Sequence, residues 1–338
     1  MFYKQEFGID LGTDTIKIYD KKTDTVTVEK NLIAVRNGNT VLGAGNDAFE
    51  MLGRTATDTT VMTPVSDGRI RDIRFTEAIL HILLFNQKHY IGHRPSIYFA
   101  APTDMTEIER RAYASIARRG KLRGCAVYLV EKPILDALAL GISIKKAKGS
   151  MMINIGASSA YLSAIAESNV ILGKSFPIGG RSFDDAITTA VKKRNKLNIS
   201  PKGAEKIKMD LLGTENSNNG ITIEGTDADT GLPRSGYVTR STAAGAARGV
   251  IDEMISEFKS FLERIPPQVR TTVSIEGIYL TGGGSRIVGL AQMLSDGLGY
   301  SVKASSQKRL CTINGLKEVI VHSGANKLIY TPLTLKKK

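Results

Sequence analysis

Three apolar runs end in small, glycine-bearing turns, and they constrain the fold more than any other feature of the chain. The first is Gly8-Ile-Asp10-Leu-Gly12-Thr13-Asp14-Thr15-Ile-Lys17, with Ile18 and Tyr19 continuing it. The second is Met151-Met-Ile-Asn154-Ile-Gly156-Ala157-Ser158-Ser159. The third is Gly277-Ile-Tyr-Leu-Thr281-Gly282-Gly283-Gly284-Ser285, which leads into a helical pattern at Ile287. A strand–turn–strand can aim backbone N–H groups and hydroxyls at a phosphate. Glycine lets the backbone approach closely. Asp10 is placed to hold magnesium (Mg2+) through water, because that ion prefers oxygen ligands and keeps its waters. Taken singly, the first two motifs are equally well plain hairpins, whose turns need glycine in any case. Three glycines between a strand and a helix leave a surface where a flat base can lie, or a phosphate near the helix N-terminus. A plain strand–helix loop is the alternative there.

Between these motifs, strand-like and helix-like segments alternate. Phe7–Tyr19 is an apolar run broken by a turn, and Thr25–Ala34 and Thr40–Gly43 read as strands. Asn46–Leu52 reads as a short helix capped by Asn46, and Thr76–Gln87 as a helix with apolar residues at helical spacing. Asp104 with Glu107 resembles a capping box for a helix reaching Arg119, with Ile108, Ala112 and Ile116 on one face. Ala126–Val130 is a strand and Ile134–Leu140 a helix. After the basic linker Lys145–Gly149 the alternation restarts, with Met151–Ile155 as a strand and Ala160–Ala166 and Val170–Phe176 as a hairpin. Ser182–Leu197, Lys202–Leu212, Ala243–Arg264 and Ile287–Leu298 read as helices, and Glu215–Gly236 as turns around short strands. Pro266–Pro267 ends the long helix. The two halves share one layout, which suggests a duplicated α/β core.

The chain has 338 residues, 42% of them hydrophobic, which is ample for a sizeable core. No apolar stretch approaches the roughly 18 residues of a spanning helix. The segment MFYKQEFGIDLGT lacks signal-peptide architecture, so a cytoplasmic location is expected. Cys125 and Cys311 supply neither a disulfide framework nor a metal cluster. The net charge of +13 favours polyanionic partners, or is simply a solvated basic surface. No arginine-glycine tract, zinc finger or aromatic RNA-binding signature is present, so no specific nucleic-acid partner is expected.

The order of the three turns is that of the actin, sugar kinase and heat-shock chaperone superfamily. Within it the chain resembles the MreB family, bacterial actin-like filament proteins that organise cell shape. The matching stretches include Glu50-Met-Leu-Gly-Arg-Thr55, Pro64-Val-Ser-Asp-Gly68, Thr106-Glu-Ile-Glu-Arg-Arg-Ala112, Val127-Tyr-Leu-Val-Glu131, Ala204-Glu-Lys-Ile-Lys208 and Asp229-Thr-Gly-Leu-Pro233. The resemblance covers essentially residues 6–320. It implies a two-lobed, actin-like α/β fold with a duplicated core and an adenine nucleotide (ATP/ADP) with magnesium in an interlobe cleft. The first lobe would span 1–143, with a small subdomain at about 31–75. The second would span 144–315, with one at about 181–245, and 316–338 would return to the first lobe. Phosphates would lie between Gly12–Thr15 and Gly156–Ser158. The segment Glu205, Lys206, Ile207 and Lys208 would contact the ribose, and Gly282–Ser285 the adenosine. For Glu205 and Lys208 the alternative is an exposed helix pair.

The chain departs from the family at the hydrolytic centre. Two adjacent glutamates usually precede the proline after the strand, and the second is thought to position the attacking water. Here the pair is Glu131 and Lys132. A charged lysine cannot accept a proton from water, though it can neutralise phosphate charge. Asn154 replaces the acidic residue that opens the second loop, weakening a hold on magnesium through water. Ser159 keeps a hydroxyl where threonine is usual. Asp14 puts a negative charge near the phosphates unless magnesium or Lys17 balances it. Lys17 reaches a phosphate or points to solvent. Nucleotide binding with slow or absent hydrolysis is the expectation. An active ATPase of the same family and a non-polymerising regulatory partner of an ordinary member are the alternatives. The resemblance also implies homo-oligomeric filaments at the inner face of the cytoplasmic membrane, touched through Phe2 and through Tyr90 and Ile91, and co-assembly with other family members. A sugar kinase fits poorly, because residues 31–75 are too short for an elaborated substrate domain.

Overall fold

The structure, a computed structural model, describes residues 5–66, 68–85, 95–116, 122–145, 149–213, 219–322 and 327–332. The expected membrane contacts Phe2, Tyr90 and Ile91 and the basic tail Lys336–Lys338 lie outside the described residues. The chain divides into two compact units. Unit 1 holds Met1–Ile144, Ser168–Val170 and Leu310–Lys338, and unit 2 holds Lys145–Glu167 and Ile171–Arg309.

Unit 1 opens with β1 (Glu6–Leu11), β2 (Thr15–Asp20) and β3 (Thr25–Lys30), an antiparallel meander. Next come β4 (Ile33–Arg36), β5 (Thr40–Ala44), α1 (Asn46–Met51), β6 (Thr59–Met62), β7 (Val65–Ser66), β8 (Arg69–Ile70) and α2 (Ile73–Phe85). Then follow β9 (Ser96–Ala101), α3 (Glu107–Ile116), β10 (Ala126–Glu131) and α4 (Lys132–Ala139). The main sheet has the order β10-β9-β1-β2-β3, with β9 parallel to both β1 and β10. β1 is buried almost throughout, as its near-continuous apolar run requires of a strand covered on both faces.

Unit 2 repeats this plan. Its elements are β11 (Ser150–Ile155), β12 (Ala160–Ala166), β13 (Asn169–Phe176, from Ile171 on), α5 (Gly180–Asn195), β14 (Leu197–Asn198), α6 (Pro201–Leu212), β15 (Gly220–Asp227) and β16 (Pro233–Thr239). They continue with α7 (Arg240–Leu262), α8 (Pro267–Glu276), β17 (Ile278–Thr281), α9 (Leu290–Leu298) and β18 (Val302–Ala304). The sheet order is β13-β12-β11-β17-β18, with β17 parallel to both β11 and β18. Each main sheet is thus a meander extended by two parallel strands, which is the duplicated core expected from the motifs. The last helix, α10 (Cys311–Val321), belongs to unit 1 and packs on α4, where Thr312 Oγ1 donates to Asp136 at 2.6 Å. Among the described residues no helix is long and apolar enough to cross a membrane.

Several local expectations shift. The expected strand Thr25–Ala34 is two strands, β3 and β4, because Asn31 leaves the ladder to bond elsewhere. Gly45, not Asn46, sits at the N-cap of α1, and the Asn46 side chain accepts from the Lys30 N–H instead. The capping box of α3 is Thr106 with Glu109: the Thr106 N–H donates to Glu109 at 2.7 Å, and the Glu109 N–H donates back to the Thr106 hydroxyl. Asp104 instead pairs with Arg69. That register leaves Ile108 80% exposed, and the helix buries Tyr113 and Ile116. Pro266 and Pro267 end one helix and open α8, since proline fits a first helical position. Where short strands are expected within Glu215–Gly236, residues 220–239 form a long antiparallel hairpin, β15–β16.

Candidate phosphate turns and the Asp10 cluster

The turns after β1 and β11 have the same closure. The Gly12 N–H donates to the Thr15 carbonyl at 3.1 Å, and the Gly156 N–H to the Ser159 carbonyl at 2.8 Å. Each is a glycine and three further residues joining antiparallel strands. A Cβ on Gly12 would stand 2.6 Å from the Thr15 carbonyl oxygen, so only glycine fits the first turn. Thr13 is buried, while Asp14 and Thr15 are partly exposed. In the second turn Gly156, Ala157, Ser158 and Ser159 are all partly exposed. Both turns therefore present small residues and hydroxyls near the surface of their own unit.

Three residues that the sequence did not single out, Asn31, Gly180 and Arg181, hold these turns. Asn31 is buried, and its side-chain amide donates to the carbonyls of Gly12 at 2.9 Å, Thr13 at 3.1 Å and Val65 at 2.7 Å. Its backbone N–H donates to the Asp14 carbonyl. In unit 2 the start of α5 plays the same part. The N–H groups of Gly180 and Arg181 donate to the carbonyls of Gly156 and Ala157 at 2.9 and 2.7 Å. Gly179 makes that approach possible, since a Cβ there would lie 2.6 Å from the Ser159 nitrogen. A Gly-Gly pair ahead of a helical pattern was the available signal for this contact.

Asp10 lies near the end of β1 between two lysines. Lys17 on β2, its cross-strand partner, donates to Oδ2 at 2.8 Å, and Lys132 at the start of α4 pairs with Oδ1 at 2.9 Å. The side chains of Asp10, Lys17 and Lys132 are 7%, 8% and 25% exposed. Burial alone would push the Asp10 carboxyl up, but Lys132 and Lys17 overcome it and hold the carboxyl well below its ordinary range. Lys17 thus points to a buried carboxylate and not to solvent. Asp14 is balanced by Lys30 at 2.9 Å, and Lys17 pairs with Asp10 instead. Glu131, at the end of β10, is buried.

These residues do not fit the magnesium expected at Asp10 and Asn154. Both oxygens of Asp10 already meet ammonium groups, and a divalent cation placed there would face two positive charges. Asn154 on β11 is neutral and lies beside the third turn. Asp10 and Asn154 as they stand therefore offer a magnesium ion no free carboxylate oxygen.

In the third turn, a Cβ on Gly282 would meet the Ile155 carbonyl oxygen at 2.4 Å, and one on Gly284 the Ile155 side chain at 2.3 Å. These two glycines let the turn sit on the end of β11. Gly283 is exposed, and a Cβ there would meet nothing within 4 Å. The Ser285 hydroxyl closes the turn on the Gly282 carbonyl at 2.7 Å. A short 3-10 helix, Gly283–Arg286, precedes α9, so the expected helix begins three residues late.

On α6, Lys208 is half-buried and donates to the Gly180 carbonyl at 3.0 Å and to Asp184 at 2.8 Å. It ties α6 to the start of α5, and the alternative of an exposed pair with Glu205 does not hold. Burial pushes the Asp184 carboxyl above its ordinary range despite Lys208. Ile207 is fully buried in the unit 2 core, so its side chain offers a ligand nothing, whereas Lys206 is exposed and Glu205 half-buried.

The comparisons with known proteins agree with this architecture. The family model described as MreB/Mbl protein matches residues 4–327. The cell shape-determining protein Mbl of Bacillus subtilis (strain 168) is 30% identical over 324 residues, covering 93% of this chain and 95% of that protein. The cell shape-determining protein MreB of Escherichia coli (strain K12) is 28% identical over 335 residues, covering 95% and 96%. Among solved structures, MreB5 of Spiroplasma citri bound to AMPPNP superposes with a TM-score of 0.89 at 25% identity, covering 96% of this chain and 98% of that one. The MamK double helical filament, at 17% identity and a TM-score of 0.75, shares the fold alone. The fold is actin-like, and the chain belongs to the MreB/Mbl family.

Proposed function

We propose that this chain is an actin-like cytoskeletal protein that binds adenine nucleotide, assembles into filaments, and hydrolyses ATP slowly or not at all. The observation that carries the nucleotide reading is the matched pair of turns. Gly12–Thr15 and Gly156–Ser159 are closed by the same hydrogen bond and presented at the same place in two equivalent sheets. AMPPNP and ADP occupy solved structures of the S. citri relative, which supports the same ligand class here. The bare face at Gly283 suits a flat base.

Slow hydrolysis follows from Lys132. The site has an ammonium where the family has a carboxylate to orient water, and that ammonium is turned to Asp10. Removing an orienting group costs on the order of a hundredfold in rate. The +13 charge supports a place at an anionic membrane face. Assembly is tested by pelleting the full chain with AMPPNP or ADP while measuring the nucleotide retained. Co-sedimentation of protein with bound nucleotide is expected. A chain that neither binds nucleotide nor pellets contradicts the reading.

A further inference from the structure

The two lysines around Asp10 have a charge equal to that of the ion they exclude. Lys17 and Lys132 supply two positive charges against the one negative charge of Asp10, leaving +1. A divalent cation held by the same carboxylate also leaves +1. The Lys17 ammonium stands at the first turn, and that of Lys132 beside Gly68 in the turn between β7 and β8. Lys17 Nζ lies 3.8 Å from where a Cβ on Gly12 would be, and Lys132 Nζ lies 3.4 Å from the corresponding point on Gly68. An ammonium has three N–H donors, and one bond to Asp10 leaves others for a second acceptor. Phosphate oxygens are such acceptors, and charge-assisted bonds to them are strong. Asp10 fixes both lysines in place, so their positions are set before any ligand arrives. Asp14 does not cancel this charge, because Lys30 pairs with it.

We propose that Lys17 and Lys132 together take the place of the divalent cation, so that this chain binds the phosphates of an adenine nucleotide without a metal ion. This rests on the nucleotide reading above. Its chemistry differs from a metal site in a way that can be measured. A divalent ion would be removed by chelation, whereas lysines are part of the chain and stay.

The test is calorimetric titration of the full-length protein with ADP and with AMPPNP, once in magnesium and once in EDTA. The expected result is a Kd that agrees between the two buffers within about threefold. A second arm uses the double variant Lys17→Met with Lys132→Glu, in which the carboxylates regain room for an ion. Its binding is expected to become at least about tenfold tighter in magnesium than in EDTA. Wild-type binding that weakens tenfold or more in EDTA overturns the metal-free site and leaves the nucleotide reading standing. Absence of binding in both buffers overturns both. The wild-type comparison decides the question even if the double variant fails to fold.

Discussion

Replacing Asp10 by asparagine is expected to destabilise the protein by about 3–5 kcal/mol, the range for breaking a buried ion pair from one side. The substitution is isosteric, so it opens no cavity. It leaves Lys17 buried and Lys132 largely so, with no countercharge between them. Urea denaturation followed by circular dichroism reads the loss. Adding Lys17→Met to Asp10→Asn is expected to restore part of it, since an apolar chain of similar length needs no partner. The pH dependence has a defined sign. Asp10 titrates below its ordinary value in the folded chain, so its contribution is fully present above the unfolded carboxylate pKa of about 4. It is lost as the pH falls through the lower folded value. Stability of Asp10→Asn should therefore depend less on pH in the acid range than that of the wild type. Equal stability of variant and wild type at neutral pH would mean that the cluster adds nothing to folding.

Gly315→Ala is the second large effect. A Cβ at Gly315 would lie 1.9 Å from the carbonyl oxygen of Leu135 and 2.5 Å from its carbon. These are backbone atoms of α4, so no rotamer change relieves the contact. Helix α10 has to lift from α4, and the buried bond from Thr312 to Asp136 stretches with it. The expected cost is about 3 kcal/mol, the upper end of the usual range for overpacking. Gly245→Ala is the matched control within α7. A Cβ there meets nothing within 4 Å, so alanine should stabilise that helix by up to about 1 kcal/mol. A denaturation midpoint for Gly315→Ala equal to wild type would show that α10 is not seated on α4 as described.

The two hairpins were legible because a near-continuous apolar strand followed by glycine and hydroxyl residues has few other solutions. The order of the turns then carried the fold class. What the sequence concealed depends on where distant segments meet. Asn31 looked like one residue in a strand, and only the folded chain shows its amide bonded to carbonyls 18, 19 and 34 residues away. Lys17 faced two readings, and the buried partner that settles its direction is its cross-strand neighbour Asp10. The capping box at α3 was misplaced by two residues, since Asp104 and Thr106 both have a glutamate three positions on. Helix α10 was not predicted, because Asn314-Gly315 interrupts it and its stability comes from packing on α4 rather than from propensity. Lys132 was recognised as the residue that breaks the hydrolytic pattern. Its pairing with Asp10 was not foreseen, because nothing in the spacing brings position 132 beside position 10.

Nucleotide binding without a group to orient water is the reading proposed for this chain. Phosphate release from the full-length protein with ATP and magnesium, run beside the Escherichia coli relative under the same conditions, tests it most directly. Release at least about a hundredfold slower than the relative, with nucleotide retained, is the predicted result. Release at the relative's rate would contradict it, and some other residue would then be positioning the water.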